Sequence, residues 1–183
     1  RGIISFSAHT EPITALAWSP CATMIASSCG GGESYQGAMV WSLDGLELGS
    51  LDEHPGGDSA LVWLADPPLI IGTGGGRDGR TRYYDPERGT LGSDLDTGTS
   101  LLCRVGTKDR AILIKENGDV RSCDPTGLGQ RSLAKLPLLS GTPTALAVSS
   151  DGQTIACGMP DERILRVDAI LGEARPLSAE GSV

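Results

Sequence analysis

The chain repeats one pattern four times at a nearly constant period. Two closely similar runs occupy 13–31 and 144–162, and two weaker copies occupy 58–76 and 100–118. The copies align at Ala15, Ala60, Leu101 and Ala145, with steps of 45, 41 and 44 residues. A second set of equivalent positions, Trp41, Tyr84, Cys123 and Val167, gives steps of 43, 39 and 44. This period of about 43 residues is typical of four-stranded propeller blades.

Each unit contains four short apolar or alternating runs separated by turn residues. In the first unit these runs occupy 13–19, 23–28, 37–43 and 46–51, and no long window has a helical apolar stripe. The sequence therefore predicts an all-β propeller segment over 1–183. Its four-stranded antiparallel blades are predicted at about 13–51, 58–95, 100–136 and 142–178. Residues 3–6 are predicted to be the outer strand of a preceding blade.

The motifs of the units identify a family resemblance. The first unit reads ITALAWSP, then IASS, then MVWS, and the fourth reads SSDGQTIACG followed by Asp161 and ILRVD. His9 and His54 each lie six residues before an equivalent alanine, Ala15 or Ala60. In these features the units resemble WD repeats.

The resemblance assigns structural roles to conserved positions of the repeat. The residues it places in such roles are His9, His54, Trp41, Tyr84 and Asp161. No unit has the family's complete set of His, turn Asp and Trp. Unit one carries GESYQG at 32–37 in place of the short Asp turn, and unit four has Leu139 and Val167 at the His and Trp positions. We therefore expect these blades to depend on apolar packing more than on polar networks.

Composition narrows the class of partner and the compartment. A formal net charge of −8 lacks the basic surface of a nucleic-acid-binding protein, so we expect no direct contact with nucleic acid. No apolar run approaches the roughly 20 residues of a membrane span. Five cysteines without a Cys-x-x-Cys pair indicate neither a disulfide framework nor a zinc site. Reduced thiols fit an intracellular location, the cytoplasm or an organelle matrix, better than secretion.

No motif predicts catalysis, a cofactor or a metal. The glycine-rich stretches at 30–37 and 74–79 lack the Gly-Lys-Ser/Thr ending of a phosphate-binding loop and are interpreted as strand connections. Asp94 and Asp96 are interpreted as an acidic pair in a solvated loop, because no calcium-loop spacing follows. Neither histidine has a motif-defined nucleophile beside it.

One face of the predicted propeller is the candidate binding surface. Connections from second to third strands, and from fourth strands to the next blade, form a face that the family commonly uses for partners. The residues predicted to bind a partner there are Tyr35, Gln36, Arg77, Asp78, Arg80, Asn117, Glu162 and Arg163. Tyr35 and Arg77 are the predicted anchors, since Tyr and Arg are enriched in interface hot spots. The mixed charge favours a protein or peptide partner.

The number of predicted blades does not determine how the ring closes. The resemblance implies a ring of about seven blades, whereas the chain supplies four, so it is an arc of a longer propeller or half a ring completed by another chain. We expect a non-catalytic interaction scaffold whose partners are other protein subunits or the remaining blades. The alternative is a sensor or regulatory domain fused to a catalytic or signalling domain outside this chain. An enzyme with its site in the central channel is the weakest hypothesis, because the inner strands are almost wholly apolar.

Overall fold

The chain forms β-strands connected by turns throughout the part that the structure describes. The computed structural model describes residues 3–30, 38–51, 58–66, 68–74, 79–86, 90–105, 109–124, 130–138 and 141–177. These ranges hold sixteen strands in four four-stranded sheets, and they contain no helix. It follows that no described segment is a helix long and apolar enough to cross a membrane. The predicted all-β fold of four-stranded antiparallel blades is confirmed.

Each blade is a meander, in which every strand pairs antiparallel with its neighbour in sequence. The strands of blade one are β1 Ile13–Trp18, β2 Met24–Cys29, β3 Ala38–Ser42 and β4 Glu47–Leu51. Those of blade two are β5 Asp58–Leu64, β6 Leu69–Gly74, β7 Arg80–Asp85 and β8 Thr90–Thr97. Those of blade three are β9 Thr99–Arg104, β10 Ala111–Lys115, β11 Asp119–Cys123 and β12 Arg131–Lys135. Those of blade four are β13 Ala145–Val148, β14 Thr154–Gly158, β15 Ile164–Asp168 and β16 Glu173–Pro176.

In two short segments the observed secondary structure is not the one that the sequence predicted. Asp94 and Asp96 lie within β8, where they pair with Arg82 and Thr81 of β7, so the interpretation as a solvated loop is wrong. The strand continues through the predicted loop because its backbone groups find partners on β7 as far as Arg80, which pairs with Thr97. Ile3–Phe6 has no strand assignment in the structure, and its pairing with a preceding blade stays a prediction.

Short turns that are stabilised by side chains connect the inner strands. Between β13 and β14, the Oγ of Ser149 accepts a hydrogen bond from the backbone N of Thr154 at 2.9 Å. The Oδ1 of Asp151 accepts one from the backbone N of Gln153, also at 2.9 Å. Gly152 follows with φ 72°, a conformation that glycine adopts without steric cost. The Ser-x-Asp-Gly sequence therefore specifies this tight turn.

Apolar side chains fill the space between consecutive blades. Between blades one and two, small side chains of Ala15, Ala26 and Ala38 meet the large Trp63 and Tyr84. A second cluster joins blades two and three, and it contains Val62, Leu64, Leu69, Ile71, Ala111, Leu113 and Cys123. A third joins blades three and four, and its large members are Ile112, Ile114, Leu136, Ile155 and Leu165. The core therefore lies between sheets, as in stacked propeller blades.

Candidate interaction face

Four of the predicted binding residues lie on one face of the arc. Arg80 begins β7, Asn117 lies in the β10–β11 turn, and Glu162 and Arg163 lie in the β14–β15 connection. All are exposed, and all belong to connections between second and third strands, so we call this the 2–3 face. Four further predicted residues, Tyr35, Gln36, Arg77 and Asp78, lie outside the described residues.

Backbone hydrogen bonds link the blade-two and blade-three parts of this face. The N–H of Gly98, between β8 and β9, donates to the carbonyl of Gly79 at 2.8 Å. The carbonyl of Gly98 in turn accepts from the N–H of Glu116 at 2.7 Å. Gly98 has φ 71°, so glycine suits this position. Arg80 and Asn117, the neighbours of Gly79 and Glu116, are thereby held at a fixed separation.

In blade three, an ionic cluster centred on Asp119 orients Asn117. The Asn117 side chain accepts from the backbone N of Asp119 at 2.9 Å and donates to its carboxylate at 3.3 Å. Lys135 Nζ lies 2.8 Å from Asp119 Oδ1, and Arg121 contributes a second, longer ion pair at 3.6 Å. The hydrogen bond from Lys135 is the main cause that lowers the pKa of Asp119. Asn117 is therefore presented on a rigid turn.

In blade four, Asp161 forms an ion pair with Arg163. The guanidinium donates to Asp161 Oδ2 through Nε at 2.7 Å and through a second nitrogen. This hydrogen bond raises the pKa of Arg163, so the side chain stays charged. Glu162 between them has φ 66°, which side chains rarely adopt. The turn therefore fixes the charged side chains of Asp161 and Arg163 at this corner of the 2–3 face.

Away from this face, a buried polar network joins three residues of blade one. Ser27 Oγ lies 2.6 Å from His9 Nε2 and accepts a hydrogen bond from Trp41 Nε1 at 2.8 Å. The rings of His9 and Trp41 meet edge-on, with centroids 6.3 Å apart. This geometry supports the predicted structural roles of His9 and Trp41. Tyr84, at the equivalent position of blade two, is buried, while His54 lies outside the described residues.

Sequence reasoning missed three residues that organise the structure. Ser27 could have been found as the hydroxyl two residues after Ile25, on the same sheet face as the Trp41 with which Ile25 pairs. Asp109 accepts from the backbone N of Ala65 and of Asp66, both at 2.6 Å, and so connects blade three to blade two. No sequence signal marks that bond, because it joins residues more than forty positions apart. Cys21 in the β1–β2 turn has its pKa lowered to about 7 by hydrogen bonds with Ser19 and Thr23.

The face offers recognition chemistry through its exposed charged and amide groups. Across the described ranges, no group of three or more His, Cys, Asp or Glu side chains is arranged to hold a metal ion. The exposed side chains on the 2–3 face carry guanidinium, amide and carboxylate groups, which recognise peptide and side-chain groups by hydrogen bonding. The arrangement is suited to binding a protein surface.

Comparison with known proteins finds similarity to WD-repeat proteins. The sequence model described as "WD domain, G-beta repeat" matches residues 2–34. "Cell division cycle 20.5, cofactor of APC complex" from Arabidopsis thaliana is 25% identical over 181 residues, which is 92% of this chain and 39% of that protein. "APC/C activator protein CDH1" from Saccharomyces cerevisiae is 25% identical over 87% of this chain and 28% of that protein. "B-type cell cycle switch protein ccs52B" from Medicago truncatula is 28% identical over 85% of this chain and 32% of that protein.

Solved structures show the same fold. A chain of the "Crystal Structure of Mitotic Checkpoint Complex" superposes with a TM-score of 0.72 at 17% identity, covering 88% of this chain and 52% of that one. The "computationally designed Ika4 protein" superposes with a TM-score of 0.69 at 19% identity, covering 92% and 98%. The chain spans between 28% and 39% of the length of the three relatives named above.

Proposed function

We propose that this chain, which is similar to WD-repeat proteins and has their propeller fold, is a non-catalytic interaction scaffold working inside a multi-protein assembly. The observation that carries the proposal is the similarity to WD-repeat relatives named as cofactors or activators of the APC complex. Their names describe proteins that act with a larger complex. We accordingly propose protein subunits as the partners, with the APC complex as the first to test, and an intracellular, cytoplasmic location.

The structure supports recognition rather than catalysis. The inner strands, such as β1 and β13, carry mainly apolar side chains, whereas an enzyme with its site in the central channel would need acids, bases or metal ligands on them. The 2–3 face instead carries Arg80, Asn117 and the Asp161–Arg163 pair on short turns. Rigid presentation of polar groups lowers the entropic cost of binding a partner. We propose that this face, including Tyr35, Gln36, Arg77 and Asp78, makes the contact.

A binding measurement with two matched variants tests this proposal. The 2–3 face variant replaces Arg80, Asn117, Glu162 and Arg163 by alanine. The control variant replaces four exposed residues at the opposite ends of the strands by alanine, namely Leu43, Arg110, Gln153 and Ile170. The probe is purified APC complex, with the affinity of each immobilised chain measured at physiological salt.

The proposal expects the unaltered chain and the control to bind equally and the 2–3 face variant to bind at least about tenfold more weakly, which is the loss of a single good contact. Thermal melting of each variant shows whether the fold is intact. Equal binding by all three chains would show that the contact lies elsewhere. Absence of binding by the unaltered chain would reject the APC complex as its partner.

A further inference from the structure

A small groove opens between blades three and four, at the strand ends opposite the 2–3 face. Its volume is about 270 Å³. Arg110, Ser122 and Arg131 line it from blade three, and Gln153 and Ile170 line it from blade four. We call it the two-arginine groove.

The strand register places both arginines on one face of the blade-three sheet. Ile112 pairs with Ser122, and Ser122 pairs with Arg131, so these three side chains form one cross-strand row. Arg110 precedes Ile112 by two residues and lies on the same face. Its carbonyl accepts from the N–H of Val105 at 2.9 Å, which continues the pairing of β9 with β10. With strands about 4.8 Å apart and a rise of about 3.4 Å per residue, the two arginine Cα atoms are about 12 Å apart, with Ser122 between them.

Three hydrogen-bond donors of this groove have no partner among the described residues. Both arginines are exposed, and neither guanidinium forms a hydrogen bond or an ion pair with a described residue. Arg163 and Arg175, by contrast, each pair with a carboxylate. Ser122 is only 8% exposed, and its hydroxyl also lacks a hydrogen bond within the described ranges. Because buried polar groups are normally hydrogen-bonded, this arrangement indicates an acceptor that comes from a ligand.

Two carboxylates close to the arginines in sequence or in the groove are engaged elsewhere. Asp109, next to Arg110, accepts two backbone hydrogen bonds from blade two. Asp151, on the blade-four side, accepts from the Oγ of Ser149 at 2.6 Å and from the backbone N of Gln153 at 2.9 Å. The groove therefore carries two positive charges without an ion-pair partner in the described part of a chain whose net charge is −8.

We propose that the two-arginine groove binds a phosphorylated serine or threonine side chain of a protein partner. A phosphate group has three acceptor oxygens and a charge approaching −2 at neutral pH. These match two guanidiniums and one hydroxyl, and clusters of arginine are a general means of recognising phosphorylated peptides. A carboxylate has only two oxygens and one charge, so it offers less to three donor groups.

The rest of the groove is suited to the peptide that surrounds a phosphorylated residue. Its volume is below the roughly 300–1,000 Å³ of small-molecule pockets. Ile170, which is 67% exposed, and the half-buried Leu133 offer apolar contact to flanking side chains. The Gln153 amide can donate to and accept from a peptide bond. The Gln153 backbone is held by Asp151 and by the N–H of Ala169, which donates to its carbonyl at 2.9 Å.

This site is additional to the contact proposed for the 2–3 face, because it lies at the other ends of the strands. The control variant of the APC measurement lacks Arg110, Gln153 and Ile170. It is therefore expected to lose the phosphopeptide while it keeps its affinity for the APC complex. The two proposals can fail separately.

Fluorescence anisotropy with a labelled phosphopeptide and the 183-residue chain tests the proposal. The probe is a short peptide with phosphoserine at its centre and leucine on both sides, and its comparators carry serine or glutamate at the centre. The variants are Arg110→Gln, Arg131→Gln and Ser122→Ala. Arg166→Gln is the matched control, because Arg166 is also exposed but lies on the face of β15 opposite to Leu165 and Val167, which pack against blade three. Circular dichroism verifies that each variant is folded.

The unaltered chain and Arg166→Gln are expected to bind the phosphopeptide equally, at micromolar concentration, and the serine peptide at least about tenfold more weakly. Arg110→Gln and Arg131→Gln are each expected to raise the Kd about tenfold, and Ser122→Ala to raise it less. Equal weakening by Arg166→Gln would overturn the proposal in favour of non-specific attraction. Equal affinity for the glutamate peptide would overturn it in favour of a carboxylate ligand, and so would an absence of binding at millimolar phosphopeptide in favour of an unoccupied groove.

Amide NMR spectra of the same mixture locate the site. The phosphopeptide is expected to shift the amide resonances of Ser122, Arg131 and Gln153 and to leave that of Asn117, on the 2–3 face, unchanged. Shifts at Asn117 without shifts at Ser122 and Arg131 would place the phosphate elsewhere and overturn the proposal.

Discussion

Cys21 in the β1–β2 turn occupies the place that Asp151 holds in the β13–β14 turn. Each lies two residues after a serine, Ser19 or Ser149, whose Oγ accepts from the backbone N that starts the next strand, at 2.9 Å in both blades. Each also bonds the side chain of that serine. The same turn therefore occurs in both blades, with a carboxylate in one and a thiol in the other. A substitution in one turn can be compared with the equivalent substitution in the other.

The residue after Cys21 carries a conformational cost that its counterpart avoids. Ala22 has φ 55°, whereas the equivalent Gly152 has φ 72° and no side chain to strain. A left-handed backbone costs a residue with a Cβ roughly 1 kcal/mol. We expect Ala22→Gly to stabilise the chain by about that amount, raising the Tm by about 2–4 °C. Gly152→Ala is expected to lower it by a similar amount, and a lower Tm for Ala22→Gly would contradict the strain.

Cys21 is expected to be the reactive thiol among the described cysteines. Hydrogen bonds with Ser19 and Thr23 lower its pKa to about 7, and it is exposed. Burial raises the pKa of Cys123 and of Cys157 to about 11. Alkylation of Cys21 by iodoacetamide is therefore expected to reach half its maximal rate near pH 7, with Cys123 and Cys157 unmodified in the folded chain. Ser19→Ala is expected to move that midpoint upward, and an unchanged midpoint would reject the hydrogen-bond explanation.

The lowered pKa of Cys21 determines whether the stability of the fold rises or falls with pH. A thiol with a lowered pKa binds fewer protons when folded than when unfolded, between about pH 7 and the ordinary thiol range. The free energy of unfolding is therefore expected to increase as pH rises through this window and to lose that gain as pH falls through 7. The chain with Cys21→Ser, measured by urea unfolding at several pH values, is the control that lacks the effect.

Removal of the Ser27 hydroxyl is expected to be strongly destabilising. Ser27→Ala leaves the buried Trp41 N–H without its acceptor and also removes the contact with His9 Nε2. An unsatisfied buried donor costs about 1–3 kcal/mol. Trp41→Phe removes the donor itself, so the double variant is expected to be less destabilised than the sum of the two single variants. A loss of unfolding free energy in the double variant equal to the sum of the losses in the two single variants would contradict a coupled network.

The bond from Asp109 across two blades is open to a direct test. Its carboxylate accepts from the backbone N of Ala65 and of Asp66. Asp109→Ala is expected to lower the free energy of unfolding by about 1 kcal/mol, because the site is exposed. It is also expected to speed amide exchange at Ala65 and Asp66, with a smaller effect for Asp109→Asn, which keeps one acceptor oxygen. Unchanged exchange at both amides would reject the contact.

The repeat pattern predicted most of the fold, because it reports local alternation and turn chemistry. The strands of blade one fall within a residue of the predicted runs, and the Ser-x-Asp-Gly turn of blade four is readable directly from Ser149, Asp151 and Gly152. Contacts between blades were beyond the sequence. The Asp109 bond joins distant segments, and the strained Ala22 shows only as a departure from glycine. The long β8 contains Asp94 and Asp96, since strand pairing overrode their loop propensity.

The sequence predicted which residues share the candidate face, but not the contacts that orient them. Arg80, Asn117, Glu162 and Arg163 share a face, because every blade has the same strand order. The ion pair between Asp119 and Lys135, next to Asn117, depends on the register between β11 and β12 and was not readable from the sequence.

The accessibility of Trp18 and Trp63 tests most directly the account of stacked blades, because these residues hold equivalent repeat positions and are 58% and 2% exposed. Acrylamide quenching of Trp18 is obtained as the difference between the unaltered chain and Trp18→Phe, since Trp41 and Trp63 are both buried. We predict strong quenching of the unaltered chain, retained in Trp63→Phe and largely lost in Trp18→Phe. Equal quenching of the unaltered chain and of Trp18→Phe would contradict the account.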